Sequence, residues 1–184
     1  MYSSSSLTIR PATVADAPLI QHLAEEAFPA TYRNILTPEQ IAYMMEWMYS
    51  LESLERQMTV EGHRYYVATA DGESVGYVSI RQESKDLFHL EKIYVLPSWQ
   101  GRGVGSRLFA HALAAIRAQH PRACRMELNV NRYNSARAFY ERQGMKIVRV
   151  GDFDIGGGFF MNDYIMGLEL PGDASNTRGM SFEM

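Results

Sequence analysis

Residues 100–105 read Gln-Gly-Arg-Gly-Val-Gly, directly after an apolar-rich stretch and directly before Leu108, Ala112 and Ile116, which recur at helical spacing. Glycine between a strand and a helix lets main chain approach a ligand closely, and the N–H groups and dipole of the helix start favour an anion. A pyrophosphate is the usual guest of such a turn, and spacing separates the folds that hold one. A phosphate loop must end in Gly-Lys-Ser/Thr, whereas Gly105 is followed by Ser106 and Arg107. A dinucleotide fingerprint needs its third small residue at position 106, where Ser106 stands, and Glu127 lies near the distance of a ribose-binding acid. That fold opens with its glycine unit, however, and here three strand-like segments come first.

Those segments belong to a chain that alternates in period. Leu7 to Arg10 predict a short strand stopped by Pro11, and Asp16 with Pro18 predicts a helix over residues 16–28. Thr37-Pro38-Glu39-Gln40 is a capping-box pattern for a helix over 38–49, with a shorter helix after Ser53. Tyr43, Met44, Met45, Trp47, Met48 and Tyr49 on that helix are expected to be mainly core. From Tyr65 the period becomes two: 65–70, an Asp71-Gly72 hairpin turn, 74–82, and a strand from Leu87 to Leu96. A helix over 103–119, a strand over 125–130, a helix over 134–142 ended by Gly144, and strands over 146–153 and 163–170 complete a mixed α/β order.

The chain has 184 residues, 46% apolar and 21% charged, which suits one ordinary core. A formal net charge of −3 gives no support for a sequence-independent grip on nucleic acid. The single cysteine, Cys124, excludes an internal disulfide, and no Cys/His set has zinc-ligand spacing, so no metal is expected. No apolar run approaches the length that a bilayer demands, and the N-terminus lacks a leader pattern, so a cytoplasmic, membrane-free protein is expected.

Gln100, Gly101, Arg102, Gly103, Val104 and Gly105 also match Gln/Arg-x-x-Gly-x-Gly/Ala. A second pattern follows in Asn134-Ser135-Ala136-Arg137-Ala138-Phe139-Tyr140 with Gly144-Met145. Together these motifs resemble the GNAT superfamily of acyl-CoA N-acyltransferases, over roughly residues 7–170. The resemblance implies a single domain over 7–170, while the serines at the start predict a disordered lead-in at 1–6 and the loss of periodicity after Pro171 a flexible tail at 171–184. It implies a twisted, mostly antiparallel sheet of about six to seven strands flanked by helices, with strands four and five splayed. It further implies that acetyl-CoA is the co-substrate, held at Ile93, Tyr94, Val95, Gln100, Gly101, Arg102, Gly103, Val104, Gly105, Ser106, Asn134 and Tyr140. A strand-edge homodimer is compatible with it.

Acetyl transfer from a thioester needs a neutral amine, a proton acceptor for that amine, and a proton donor for the departing thiolate. The resemblance gives the donor role to Tyr140, whose bland alternative is a core tyrosine. For the acceptor of the proton, Glu91 lies two residues before Ile93 and His89 two before that. On an uninterrupted strand all three share a face, so either could act, directly or through water. The ending FDIGGGFFMNDYIMGLEL looks like the final hairpin of bacterial polyamine acetyltransferases within the superfamily, and Glu39, Glu46, Glu52 and Glu55 could face a cationic amine. A small polyamine-like amine is therefore favoured. A peptide N-terminus, an amino acid derivative, or a non-catalytic acyl-CoA sensor remain the alternatives.

Overall fold

Asp71 and Gly72 both take positive φ, 52° and 78°, as a two-residue hairpin turn requires. They join β2 (Arg64–Ala70) to β3 (Glu73–Ser84) in a computed structural model that describes residues 6–173. The lead-in at 1–5 and most of the expected tail, with Met180 and Phe182, lie outside the described residues. β1 (Leu7–Pro11) pairs with β2, and β4 (Leu87–Val95) with β3, all antiparallel. Beyond them come β5 (Cys124–Asn131), β6 (Lys146–Gly156) and β7 (Phe159–Leu170), giving one seven-stranded sheet of order β1-β2-β3-β4-β5-β7-β6. Only β4 and β5 run parallel.

Helices cover both faces. On one side α4 (Val104–Gln119) and α5 (Ala136–Arg142) close over Val78, Phe88, Met126, Leu128 and Met166. On the other, α1 (Ala17–Tyr32), α2 (Pro38–Tyr49) and α3 (Leu51–Thr59) close over Tyr65, Val67, Tyr77 and Met161. Thr37 caps α2 by accepting from Gln40 N–H at 3.2 Å. Of the Met and aromatic stripe on α2, Met44 and Tyr49 are buried, whereas Trp47 is exposed. Among the described residues no helix is long and apolar enough to cross a membrane.

Three boundaries differ from the sequence expectation. α1 does not stop at Phe28 but runs through Pro29 to Tyr32. Phe28 and Tyr32 are both buried with ring centroids 4.7 Å apart, and this packing outweighs the one helical hydrogen bond that Pro29 removes. α5 begins at Ala136, because Asn134 stays outside it and accepts the Ala136 N–H at 2.9 Å. The last hairpin is longer than its apolar alternation suggested. Its turn, Gly156, Gly157 and Gly158, has φ of 89°, 61° and 80°. A Cβ at Gly156 would lie 2.4 Å from the Tyr43 hydroxyl, which donates to Ile155 O at 2.8 Å, so the turn is docked on α2.

Lys92 is buried on the α1–α3 side without a bonded carboxylate. Its Nζ donates to Gln57 Oε1 at 2.8 Å and Tyr65 Oη at 2.7 Å, between the Tyr49 and Tyr65 rings. Burial lowers its pKa from 10.5 to about 8. The folded chain therefore releases this proton before the unfolded chain does, and stability should rise with pH from about 8 until tyrosines begin to ionise. Lys92→Met should flatten that stretch in a series of thermal melts; a slope that survives the substitution would assign it to other groups.

Candidate active site

β4 and β5 pair only at their first residues, Leu87, Phe88 and His89 against Arg125, Met126 and Glu127. Past that point the strands part, and a cleft of about 1100 Å³ opens between them. Leu96 N–H bonds to Val75 O at 2.9 Å, so by alternation the main-chain groups of Tyr94 face β3 and those of Ile93 and Val95 face the cleft. Val95 O accepts from the Gln100 side-chain amide at 3.2 Å, which places that carbonyl on the open side. Three residues expected to share a role thus differ: Tyr94 turns its ring towards Phe28 and Tyr77, while Ile93 and Val95 present an unpaired edge.

The glycine turn forms one end of this cleft. Gly101 and Gly103 have φ of 75° and 82°, and Gly103 is the N-terminal cap of α4. The first α-helical bond runs from Arg107 N–H to Gly103 O at 3.1 Å, so the N–H groups of Val104, Gly105 and Ser106 precede the helical ladder. Gln100, Gly101, Gly103, Gly105 and Ser106 line the cleft. The side chains of the other two turn residues do not serve it: Arg102 lies over the Trp99 ring at 4.6 Å, and Val104 is buried in the core. Only their main chain can take part. Phe139 packs against this end, 3.6 Å from a Cβ built at Gly105, which relates the second sequence motif to the first.

Tyr140 enters the cleft from α5 and Tyr32 from the opposite side of the sheet. Burial pushes the Tyr140 phenol above its ordinary value, with the Tyr32 phenol adding to the shift. Burial raises Tyr32 as well, against hydrogen bonding to Tyr94 and Asn134, while the charge of Asp163 raises it further. Asn134 lines the cleft with its Oδ1 engaged by Ala136 N–H, so its amide NH₂ is the end that faces the Tyr32 phenol. It both shapes the helix start and faces the cleft.

A bulge in β4 corrects the expectation for His89 and Glu91. Ser79 opposes Lys92 and Ile80 opposes Leu90, so Glu91 is an extra residue with no partner. The two-residue period is therefore broken. Ile93 lies on the α4 face with Phe88 and Leu90, whereas His89 opposes Arg81 on the other face and does not line the cleft. Glu91 does line it, with Oε1 accepting from Arg81 Nε at 2.9 Å. Glu83, His89 and Glu91 bring donor atoms within 4.8 Å of one another, but Arg81 contacts both carboxylates and is the cation of this cluster.

Two residues lining the gap, Tyr32 and Asn129, escaped the sequence reading. Tyr32 lies beyond the expected end of the first helix at residue 28. Asn129 is one of a row of polar residues, Arg125, Glu127, Asn129 and Asn131, on one face of β5, and nothing in that row singles it out.

Residues 32–152 match the family model of the acetyltransferase (GNAT) domain. The chain belongs to the GNAT acetyltransferase family. An uncharacterized N-acetyltransferase of Mycobacterium bovis is 32% identical over 159 residues, 85% of this chain and 99% of that relative. An aminoglycoside N(6')-acetyltransferase type 1 of Stenotrophomonas maltophilia is 36% identical over 123 residues, 62% of this chain and 68% of its own length. Among solved structures, the PaiA N-acetyltransferase of Thermoplasma acidophilum in complex with coenzyme A superposes with a TM-score of 0.74 at 25% identity, covering 90% of this chain and 99% of that one. The GNAT fold, with its seven-stranded sheet and its parallel β4 and β5, is thereby shown, and the protein is an N-acetyltransferase.

Proposed function

We propose that the protein transfers the acetyl group of acetyl-CoA to a small, polyamine-like primary amine by direct attack in a ternary complex. The observation that carries this is the parting of β4 from β5, which sets an unpaired main-chain edge, a helix N-terminus and Tyr140 around one cleft. The pyrophosphate lies on the N–H groups of 101–106. The amide-rich pantetheine arm lies along Ile93 and Val95 as an added strand would. Main-chain N–H at the gap then faces the thioester oxygen, where negative charge develops as the amine attacks. Nitrogen forms a bond to the carbonyl carbon, the carbon–sulfur bond breaks, and the thiolate takes the Tyr140 proton. The amine proton leaves through Glu91 Oε2, directly or by way of water.

One relative bears on the acceptor. The Stenotrophomonas protein's name gives an aminoglycoside, a molecule with several amino groups. Carboxylates at the gap suit such a cation. The deciding experiment is a CoA-release screen over polyamines, aminoglycosides, amino acids and short peptides. Turnover with polyamines is expected; turnover confined to peptides would replace the reading. A rise in melting temperature with acetyl-CoA and no turnover with any amine would make the protein a sensor.

Glu91→Gln should lower kcat/KM about 10²-fold or more, within the range of general-base contributions. An unchanged kcat/KM would leave deprotonation to water.

A further inference from the structure

Glu91 puts a carboxylate in the wall of the cleft, yet the sheet does not fix its side chain. As the extra residue of the β4 bulge it has no opposite residue on β3, so no cross-strand neighbour packs it in place. A glutamate has several rotatable bonds, and its oxygens sweep a wide volume unless something holds them. Among the described residues the side chain that does so is Arg81, whose Nε donates to Glu91 Oε1 at 2.9 Å.

Arg81 does not line the cleft. It stands on β3 opposite His89, where the ladder has resumed its register past the bulge. From there Nη2 also donates to Glu83 Oε1 at 3.4 Å, and that oxygen lies 3.2 Å from His89 Nδ1. The oxygens of Glu83 and Glu91 come within 4.8 Å of each other, close enough for like charges to push the mobile one aside, and the guanidinium between them removes that push. Little of this serves the fold: the Arg81 side chain is 36% exposed and that of Glu91 20%, and open ion pairs add little to stability. The effect of the contact is on direction. It occupies Oε1 and leaves Oε2 for the cleft.

We infer that Arg81 is a positioning residue for acetyl transfer, holding Glu91 by Oε1 so that Oε2 meets the proton of the attacking amine. This rests on the reading of Glu91 as the base. The proton passes from the amine nitrogen to Oε2 as that nitrogen bonds to the carbonyl carbon. Arg81 keeps its own protons and touches neither the amine nor the thioester. A guanidinium suits the task because its planar fork fixes the direction of its donors, whereas an ammonium supplies charge without that direction.

The test is a double-mutant cycle of Arg81→Ala and Glu91→Gln, read as kcat/KM for a good amine. In the wild-type background Arg81→Ala should lower kcat/KM about tenfold or more, mainly through kcat, the scale of a displaced catalytic group. The Kd of acetyl-CoA should stay unchanged. In the Glu91→Gln background the same substitution should cost less than about twofold, since no base is left to aim. Arg81→Lys, which keeps the charge without the fork, should lose less than Arg81→Ala. If Arg81→Ala costs as much beside Glu91→Gln as in wild type, or costs nothing in either, the inference falls and the Glu91 reading stands. If Glu91→Gln alone leaves kcat/KM unchanged, the Glu91 reading falls and takes the inference with it. Should Arg81→Ala not fold, Arg81→Lys replaces it in the cycle, and a cost that is equal in the two backgrounds overturns the assignment.

Discussion

Tyr140→Phe is expected to lower kcat by about 10²–10⁴-fold, the range for a positioned proton donor, with little change in the Kd of acetyl-CoA. The ring is retained, so its contacts with Phe139 and the α4 side of the core persist. What disappears is one hydroxyl at the meeting point of the two sides of the sheet. Burial holds that phenol protonated well beyond ordinary assay pH. A thiolate leaving in the same dry cleft is raised by the same desolvation, so the transfer stays balanced although the phenol is a weaker acid than in water. Wild-type kcat should consequently show no basic limb from Tyr140 below about pH 10, the unperturbed tyrosine value. Steady-state CoA release with a good amine, alongside calorimetric binding of acetyl-CoA, separates the two effects. A variant that keeps wild-type kcat would make Tyr140 a packing residue.

Gly103→Val should weaken acetyl-CoA binding by more than about tenfold, beyond what its effect on folding explains. Two costs are superimposed there. At φ +82° an L side chain is strained by roughly 1–2 kcal/mol, which corresponds to a Tm loss of about 2–8 °C for a chain of this size. In addition, a Cβ at this position meets nothing within 4 Å, so a side chain would project into the space where a phosphate must approach the helix start. Gly72 supplies the matched control. It has φ +78° and equally open surroundings, but it lies in the β2–β3 turn and does not line the cleft. Gly72→Val should lose comparable stability and bind acetyl-CoA normally. Equal losses of affinity in both variants would mean that strain, and not the cofactor, sets the requirement at Gly103.

The order of elements was legible because each carries its own period and its own stop. The Asp71-Gly72 turn, the Thr37 cap and the glycine turn act over a few residues, and local signals of that kind read directly. What failed was anything decided at a distance. α1 continues past Pro29 because Phe28 and Tyr32 find burial against strands far along the chain. The faces of β4 change partway because β3 and β4 slip by one residue, which no alternation pattern records. Asp163 reads as one acid in a hairpin, and its burial beside Asn129 follows from two strands that meet only in the fold. The glycines and Tyr140 were readable as a pair since the second motif supports the first; the acceptor side has no comparable code, being made from the ends of elements that sequence order keeps apart.

The slip in β4 also bears on how such a protein can change. Position 91 has no opposite residue in the ladder, so replacing its side chain leaves every pair in place and breaks only the ion pair with Arg81. The positions around it are tied: Lys92 to Gln57 and Tyr65, Leu90 to the core. An extra residue held in register by its neighbours is a place where reactivity can be exchanged while the architecture stays fixed. Enzymes built on this frame could exchange the group that takes the amine proton at that one position while the ladder stays as it is.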